Sequence, residues 1–275
     1  MGLRITTNVA SINAQRQLDK QQSRNDHALA ALSSGSRIVR AADDAAGLAI
    51  SENLKGQIRG IAQARNNAYN AMSLIDVSDG GLNEINNILI RLRELGVQAA
   101  SDNIGEVERG FLNLESKQLV EEAERIAQTT RFGNMKLLDG SGEELEFQVG
   151  AFGGEENVVA YKFNADATGG ALGYDSITME DKSSARSALE TVDNALIKLG
   201  GIRADFGAVS SRMQATVSNL DIQYENLNAA NSRLRDVDVA RESAELASSN
   251  ILQQASIAVL GQANARGAQA LRLIS

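Results

Sequence analysis

From Leu54 to Leu92, apolar residues recur at steps of three, four and seven: Leu54, Ile58, Ile61, Ala68, Met72, Ile75, Leu82, Ile85, Leu89 and Leu92. On a helix this spacing draws one continuous apolar strip, the pattern of a coiled-coil seam. Arg65 and Asp79 occupy seam slots as well, so the strip is not strictly dry. A helix over 44–100 would be about 85 Å long at the α-helical rise. No compact sphere of 275 residues holds such a rod as its core, so it needs a partner of similar length. The chain has no proline to interrupt the helix, where average composition would supply about 14, each able to kink a helix interior. Gly80-Gly81 only weakens the middle, at about 1 kcal/mol per glycine relative to alanine.

The partner lies in the second half. Alternating steps of three and four from Leu189 to Leu234 define fourteen slots, eleven of them apolar or aromatic: Leu189, Val192, Leu196, Leu199, Phe206, Met213, Val217, Leu220, Tyr224, Leu227 and Leu234. Arg203, Ser210 and Asn231 are the exceptions. A third helix is predicted over about 105–129, with Leu112, Leu119, Ala123 and Ile126 on one face. Residues 3–33 and 240–275 read as helices with small, sparse apolar positions, weak in isolation. Between the halves, Leu145, Phe147 and Val149 alternate, as do Val159, Tyr161 and Phe163, which predicts a hairpin. The Gly/Ser/Thr/Asp-rich stretch 164–184 reads as loop. The expected fold is mainly α, a long antiparallel helical bundle or coiled coil with its N- and C-terminal halves paired and a small β-hairpin insertion.

Composition narrows the function. With no cysteine and only His27 as histidine, thiolate zinc sites, cysteine nucleophiles and two-histidine metallopeptidase sites are excluded. A Ser-His-Asp site would need His27, which sits in a polar setting. The net charge of −8 is unevenly spread: 1–40 and 240–275 together carry +5, leaving −13 on 41–239. An acidic body argues against nucleic acid as a partner. No stretch reaches the roughly 18 apolar residues of a membrane span. The N-terminal residues lack the apolar core of a signal peptide, so export is expected to need no cleaved signal. No cofactor, metal site or catalytic constellation is expected, and neither is an enzyme.

Several motifs stand in order along the chain. Asn8 and Asn13 open it; then come Leu32-Ser33-Ser34-Gly35-Ser36-Arg37-Ile38 and Ala42-Asp43-Asp44-Ala45-Ala46-Gly47-Leu48. Leu82-Asn83-Glu84-Ile85 and Arg91-Leu92-Arg93-Glu94-Leu95 follow, and the second half contributes Asn226-Leu227-Asn228-Ala229-Ala230-Asn231-Ser232-Arg233-Leu234-Arg235 and Gln262-Ala263-Asn264. With these the sequence resembles bacterial flagellin, the subunit of the flagellar filament, over about 1–150 and 185–275. It looks like a minimal form without large outer variable domains. Phe132-Gly133-Asn134 departs from the family's Phe-Asn-Gly order.

The resemblance implies a structural, extracellular protein of the bacterial flagellum, self-assembling by helical polymerisation for motility. Its implied partners are many identical subunits, a flagellar export chaperone and cap or junction proteins. It implies an inner terminal coiled coil of 1–43 with 240–275, and a bundle domain of 44–239 with the β insertion at about 136–184. It further marks Arg91, Glu94, Leu95 and Gln98, with Glu115 nearby, as the face by which some flagellins contact Toll-like receptor 5. Packing between subunits is the first reason for such a face, with receptor contact a secondary property of released monomer. Asp43 and Asp44 stand at a helix start, where capping explains them better than acid chemistry. The bundle seam rests on Leu54, Ile58, Ile61, Leu89 and Leu92 against Leu189, Leu196, Phe206, Met213, Leu220, Leu227 and Leu234. The main rival reading is a hook–filament junction protein with the same terminal helices.

Overall fold

The computed structural model describes residues 7–142 and 144–272, and the side chains of the last helix as far as 265. Six helices and two hairpins follow in order: α1 (Val9–Ser34), α2 (Ala45–Ala99), α3 (Glu106–Thr129), β1 (Arg131–Phe132), β2 (Met135–Lys136), β3 (Glu144–Gln148), β4 (Val158–Lys162), α4 (Gly169–Leu172), α5 (Lys182–Arg235) and α6 (Val239–Arg272). The chain forms two compact units, one of Met1–Gln57 with Glu225–Ser275 and the other of Ile58–Tyr224. The parts of the expected end helices at 3–6 and 273–275 lie outside the described residues.

In the Ile58–Tyr224 unit the two seams meet. Ile58, Ile61, Ala68, Ile75, Leu82, Ile85, Leu89 and Leu92 of α2 are buried, as are Val192, Leu199, Phe206, Met213, Val217 and Leu220 of α5. Met72 and Leu196 are partly buried against the same clusters. The pairing is antiparallel. Arg93 binds Asp193 at 2.7 Å, Asp79 binds Arg203 at 2.8 Å and Arg65 binds Asp221 at 2.7 Å, so descending numbers in α2 meet ascending numbers in α5. The polar residues in seam slots are thus used: Asp79 and Arg203 answer each other, and the Arg65 guanidinium also lies 5.4 Å from the Tyr224 ring centre.

Helix α3 lays Ala123 and Ala127 on this core, with Leu112, Leu119 and Ile126 partly buried beside them. The hairpin β3–β4 pairs Leu145 with Tyr161 and Phe147 with Val159, the register its alternation predicts. Few aromatics serve the fold, and three of them gather here: Tyr161, Phe163 and Phe206 have ring centres 5.0–6.2 Å apart. The hairpin is tied to α2 by the Asn67 side chain, which donates to the Gln148 carbonyl at 2.9 Å.

Two features depart from the sequence expectation. A second hairpin, β1–β2, turns through Gly133 and Asn134. Gly133 has φ +60°, and among the described residues no non-glycine residue has a positive φ. Glycine at the first central position is what a type II′ turn requires, so the inverted Gly-Asn order suits this turn. The stretch 164–184, expected as loop, holds the short α4 and the first turn of α5, and much of it is buried. Ala165, Ala167, Leu172, Tyr174, Ile177 and Met179 all enter the core. Tyr174 is fully buried and donates its hydroxyl to the Ala167 carbonyl at 2.9 Å; burial, together with the nearby Glu124, pushes that hydroxyl to a higher pKa. Polar composition concealed a strap whose apolar residues alternate at short range.

The other unit is built differently. Helices α1 and α6 lie against each other, yet α1 buries only Ala14, Asn25, Ala28 and Ala31. Asn25 and Asn250 hydrogen-bond side chain to side chain across the pair. Asn8 caps α1 by accepting from Ser11 N–H at 3.1 Å, and its amide donates to the Ala263 carbonyl at 2.9 Å. Gly35 ends α1 with φ +68°. The chain then bonds back to the end of α5: Arg37 N–H to the Arg235 carbonyl at 2.6 Å, and Val237 N–H to the Gly35 carbonyl at 3.1 Å. Ser51 donates to Asn231 at 2.9 Å, which accounts for an amide in that slot. Leu54, Leu227 and Leu234 are half-buried here.

Gly80 and Gly81 give a direct test of the packing. A Cβ on Gly81 would stand 2.8 Å from both Leu138 Cδ1 and Thr130 Oγ1, whereas one on Gly80 would meet nothing within 4 Å. Gly80→Ala is therefore expected to stabilise the chain by about 0.5–1 kcal/mol, the ordinary helix-propensity gain. Gly81→Ala is expected to cost at least as much through overpacking. Urea unfolding followed by circular dichroism checks both; equal effects would contradict the contact.

Candidate interaction faces

The Arg91 group forms where α2 passes α3. Residues 91, 94 and 98 lie at helical steps of three and four, so their side chains share the outer side of α2. Arg91 donates to Glu115 Oε1 through Nε at 3.0 Å and Nη2 at 2.8 Å, and to Glu94 Oε2 through Nη1 at 3.0 Å. Glu115 first, and Glu94 after it, hold the guanidinium even more firmly protonated than a free arginine. All three side chains are substantially exposed, so the pairs add little to stability. Gln98 is exposed on the same helix, and so is Val97.

Leu95 differs. It is 1% exposed and belongs to the apolar core, so the structure places it beneath the polar face rather than on it. Its neighbour Gly96 lies against Leu189 of α5: an added Cβ would stand 2.9 Å from Leu189 Cδ2. The glycine thus permits tight helix packing.

Asp43 and Asp44 take separate roles at the start of α2. Asp44 Oδ1 accepts from Gly47 N–H at 2.8 Å, the geometry of an N-cap. Asp43 Oδ2 accepts from Arg40 N–H at 2.7 Å and Val39 N–H at 3.0 Å, closing the turn before the helix. The Arg40 N–H is the main reason the Asp43 carboxyl lies below its usual pKa, against a smaller upward effect of burial. His27 approaches from α1, with Nε2 3.4 Å from Asp43 and Nδ1 3.9 Å from Glu242.

Apolar surface left in the open is the larger signal. In the unit containing both termini, Val9, Ile12, Leu29, Val239, Ile251, Leu252, Ile257 and Val259 are all at least 44% exposed. On α3, Val107, Phe111 and Leu114 are 63–69% exposed. The α3 stripe was legible as steps of four and three, but the Leu112–Leu119–Ile126 strip beside it is the longer pattern and masks it. Among the described residues no three His, Asp or Glu side chains form a group able to hold a metal ion, and no helix is long and apolar enough to cross a membrane.

Comparison with known proteins identifies the family that bears these surfaces. Residues 5–143 match the bacterial flagellin N-terminal helical region and 189–274 the bacterial flagellin C-terminal helical region. A flagellin of Halalkalibacterium halodurans is 43% identical over 271 residues, 98% of this chain and 99% of that protein. The flagellar filament core protein flaB2 of Brachyspira hyodysenteriae is 38% identical, over 98% of this chain and 99% of its own. Among solved structures, Bacillus cereus flagellin is 28% identical with a TM-score of 0.51, covering 60% of this chain and 94% of that one. Matched at both ends and nearly throughout, with no large variable domain between, the chain belongs to the bacterial flagellin family: it is a structural subunit of the flagellar filament and not an enzyme.

Proposed function

We propose that the subunit polymerises helically by completing its terminal unit against neighbouring copies. The carrying observation is an asymmetry between the two units. Both clusters of buried apolar residues lie within Ile58–Tyr224. The unit holding α1 and α6 buries mainly alanines, Ile38 apart, and leaves many of its larger aliphatics exposed. A two-helix pair with so little buried surface is marginal alone, because helix stability in proteins comes chiefly from packing. Neighbouring copies supply the missing burial.

By role in the filament, 1–43 with 240–275 then form the inner coiled coil and 44–239 the bundle that carries the β insertion of 136–184. The compact units themselves divide within α2 and α5. The same marginal stability suits passage through a narrow export channel in a largely unfolded state, without a cleaved signal peptide. An export chaperone would hold the C-terminal arm, and cap and junction proteins would bound the polymer. A hook–filament junction protein shares the terminal helices, but near-full-length identity to a flagellin and a filament core protein favours the main filament subunit. Sedimentation separates the two: purified filament subunit is expected to grow into long polymers, and a junction protein is not.

Deleting 1–35 or 245–275 is expected to abolish polymerisation while a cooperative unfolding transition of the bundle persists. Long filaments from either truncation would refute the proposed role of the terminal unit.

Arg91, Glu94, Gln98 and Glu115 support a second property of released monomer, contact with Toll-like receptor 5. Arg91 is exposed and uses three of its five N–H donors on Glu115 and Glu94, which leaves two for a receptor acceptor. In a cell reporter assay, Arg91→Ala and Glu115→Ala are expected to lower the response with thermal stability nearly unchanged, since exposed pairs contribute little to stability. Leu95→Ala is expected to lose about 2–5 kcal/mol of stability as a core truncation. Wild-type response from a stable Arg91→Ala protein would remove the receptor assignment.

A further inference from the structure

One imidazole touches three segments of the unit that holds α1 and α6. His27, the chain's single histidine, leaves α1 with each ring nitrogen toward a different segment. Nε2 lies 3.4 Å from Asp43 Oδ2 in the turn before α2, and Nδ1 lies 3.9 Å from Glu242 Oε1 in the first turn of α6. Both carboxylates stand on turns fixed without the ring. Asp43 accepts from the Arg40 and Val39 N–H groups, and the turn of Glu242 is capped by Asp238, which accepts from the Arg241 N–H at 3.1 Å. The Glu242 side chain is only 14% exposed, and among the described residues its carboxylate has no hydrogen-bond or ion-pair partner other than His27.

A partner of this kind is conditional. Neutral imidazole carries one N–H and one lone pair. Whichever nitrogen holds the hydrogen, the other turns its lone pair to a carboxylate oxygen, so only the imidazolium suits both sides. The other charged side chains at the ring are Asp19 and Asp26 from α1 and Arg40 from the turn before α2, which line a groove of about 410 Å³ beside it. The ring is 41% exposed, so protons reach it from solvent. Of these side-chain types only imidazole ordinarily changes charge between about pH 5 and 8. The Asp43 carboxyl stays ionised over that range: the Arg40 N–H foremost holds it below its usual pKa, against burial, and His27 acts in the same direction as Arg40.

We propose that His27 is a proton-operated latch of the terminal unit: charged, it ties the start of α6 and the turn before α2 to α1; neutral, it releases Glu242. The sign follows from what folding supplies. The folded unit gives the ring two carboxylates that separated arms do not hold near it, so the added stability is complete on the acid side. It is lost as pH rises through the ring's titration. The pairs are partly exposed and individually weak. They matter here because α1 buries little besides alanine, so a small electrostatic contribution reaches the pairing equilibrium of α1 and α6. The latch acts within one copy and does not depend on the polymerisation reading above.

The chain has no cysteine, so Ser249→Cys introduces one thiol. Ser249 is buried in α6 beside the Asn250 that meets Asn25, and a thiol there reacts with maleimide only when the pair opens. Its labelling rate in dilute, unpolymerised chain, divided by that of a free thiol at the same pH, reads the opening equilibrium; circular dichroism checks that helix content is kept. Opening is expected to be about two- to fivefold greater at pH 8 than at pH 6, the scale of partly exposed ion pairs. Adding His27→Gln, neutral throughout, is expected to remove this pH dependence and leave the greater opening. His27→Lys, charged throughout, is expected to remove it and leave the smaller one. An unchanged pH ratio in His27→Gln, equal opening at both pH values with His27 present, or labelling as fast as a free thiol at both overturns the latch. None of these outcomes touches polymerisation, which sedimentation reads separately.

Discussion

The antiparallel seam between α2 and α5 is the contact on which the rest of the bundle unit depends. Each fully buried leucine or isoleucine contributes about 1.5–3 kcal/mol, and α2 alone supplies eight buried leucines and isoleucines from Ile58 to Leu92 to this unit. Hydrophobic burial has little directional preference, however, and a repeat of this kind could slide by a heptad. The cross-helix pairs Arg65–Asp221, Asp79–Arg203 and Arg93–Asp193 oppose sliding because their signs are mixed along α2. Shifting the register would set charges against apolar neighbours or like charges. Such partly exposed pairs add little stability, and their value lies in specifying one alignment.

Close approach is the second requirement, and it explains three glycines of α2. Gly96 admits Leu189, Gly81 admits Leu138 and Thr130, and Gly60 admits Ala151 from the β3–β4 hairpin. At each place an insertion segment or facing helix sits against bare backbone. The propensity cost is offset by contacts that a methyl group would exclude. The insertion is therefore integral to the bundle: Phe163, Tyr174 and Met179 join the same core as Leu82 and Leu199.

Legibility followed the periodicity. The long helices and the hairpin register were plain because one face repeats over many residues, and the charges in seam slots marked positions that needed partners. What escaped was local and non-periodic. The 164–184 strap looks like loop because glycine, serine and aspartate punctuate it, yet its apolar residues reach the core two at a time. Leu95 looks like part of a polar face because Arg91, Glu94 and Gln98 surround it in sequence; only the packing against α5 shows it lies one step inward. The α3 stripe was obscured by the neighbouring apolar strip, since spacing alone does not say which of two strips turns to the core. Asp43 and Asp44 stand together in sequence, but one caps the helix and the other closes the turn before it, a division set by backbone direction.

These differences bear on how a filament subunit reconciles two demands. A chain that must later join many copies needs surfaces that remain incomplete until they meet a neighbour, but a chain incomplete everywhere would have no defined form to present. The structure separates the two. The Ile58–Tyr224 unit has aromatic, aliphatic and ionic contacts enough to fix its own register. The unit of α1 and α6 relies on alanine packing and a few amide bonds, among them the part-buried Asn25–Asn250 pair. Such an amide pair adds little net stability yet disfavours registers in which the buried Asn25 loses its partner. The terminal helices thus carry alignment information in excess of their stability. That combination suits the assembly proposed above, in which the correct pairing is specified in advance and the neighbouring subunit supplies the free energy that makes it permanent.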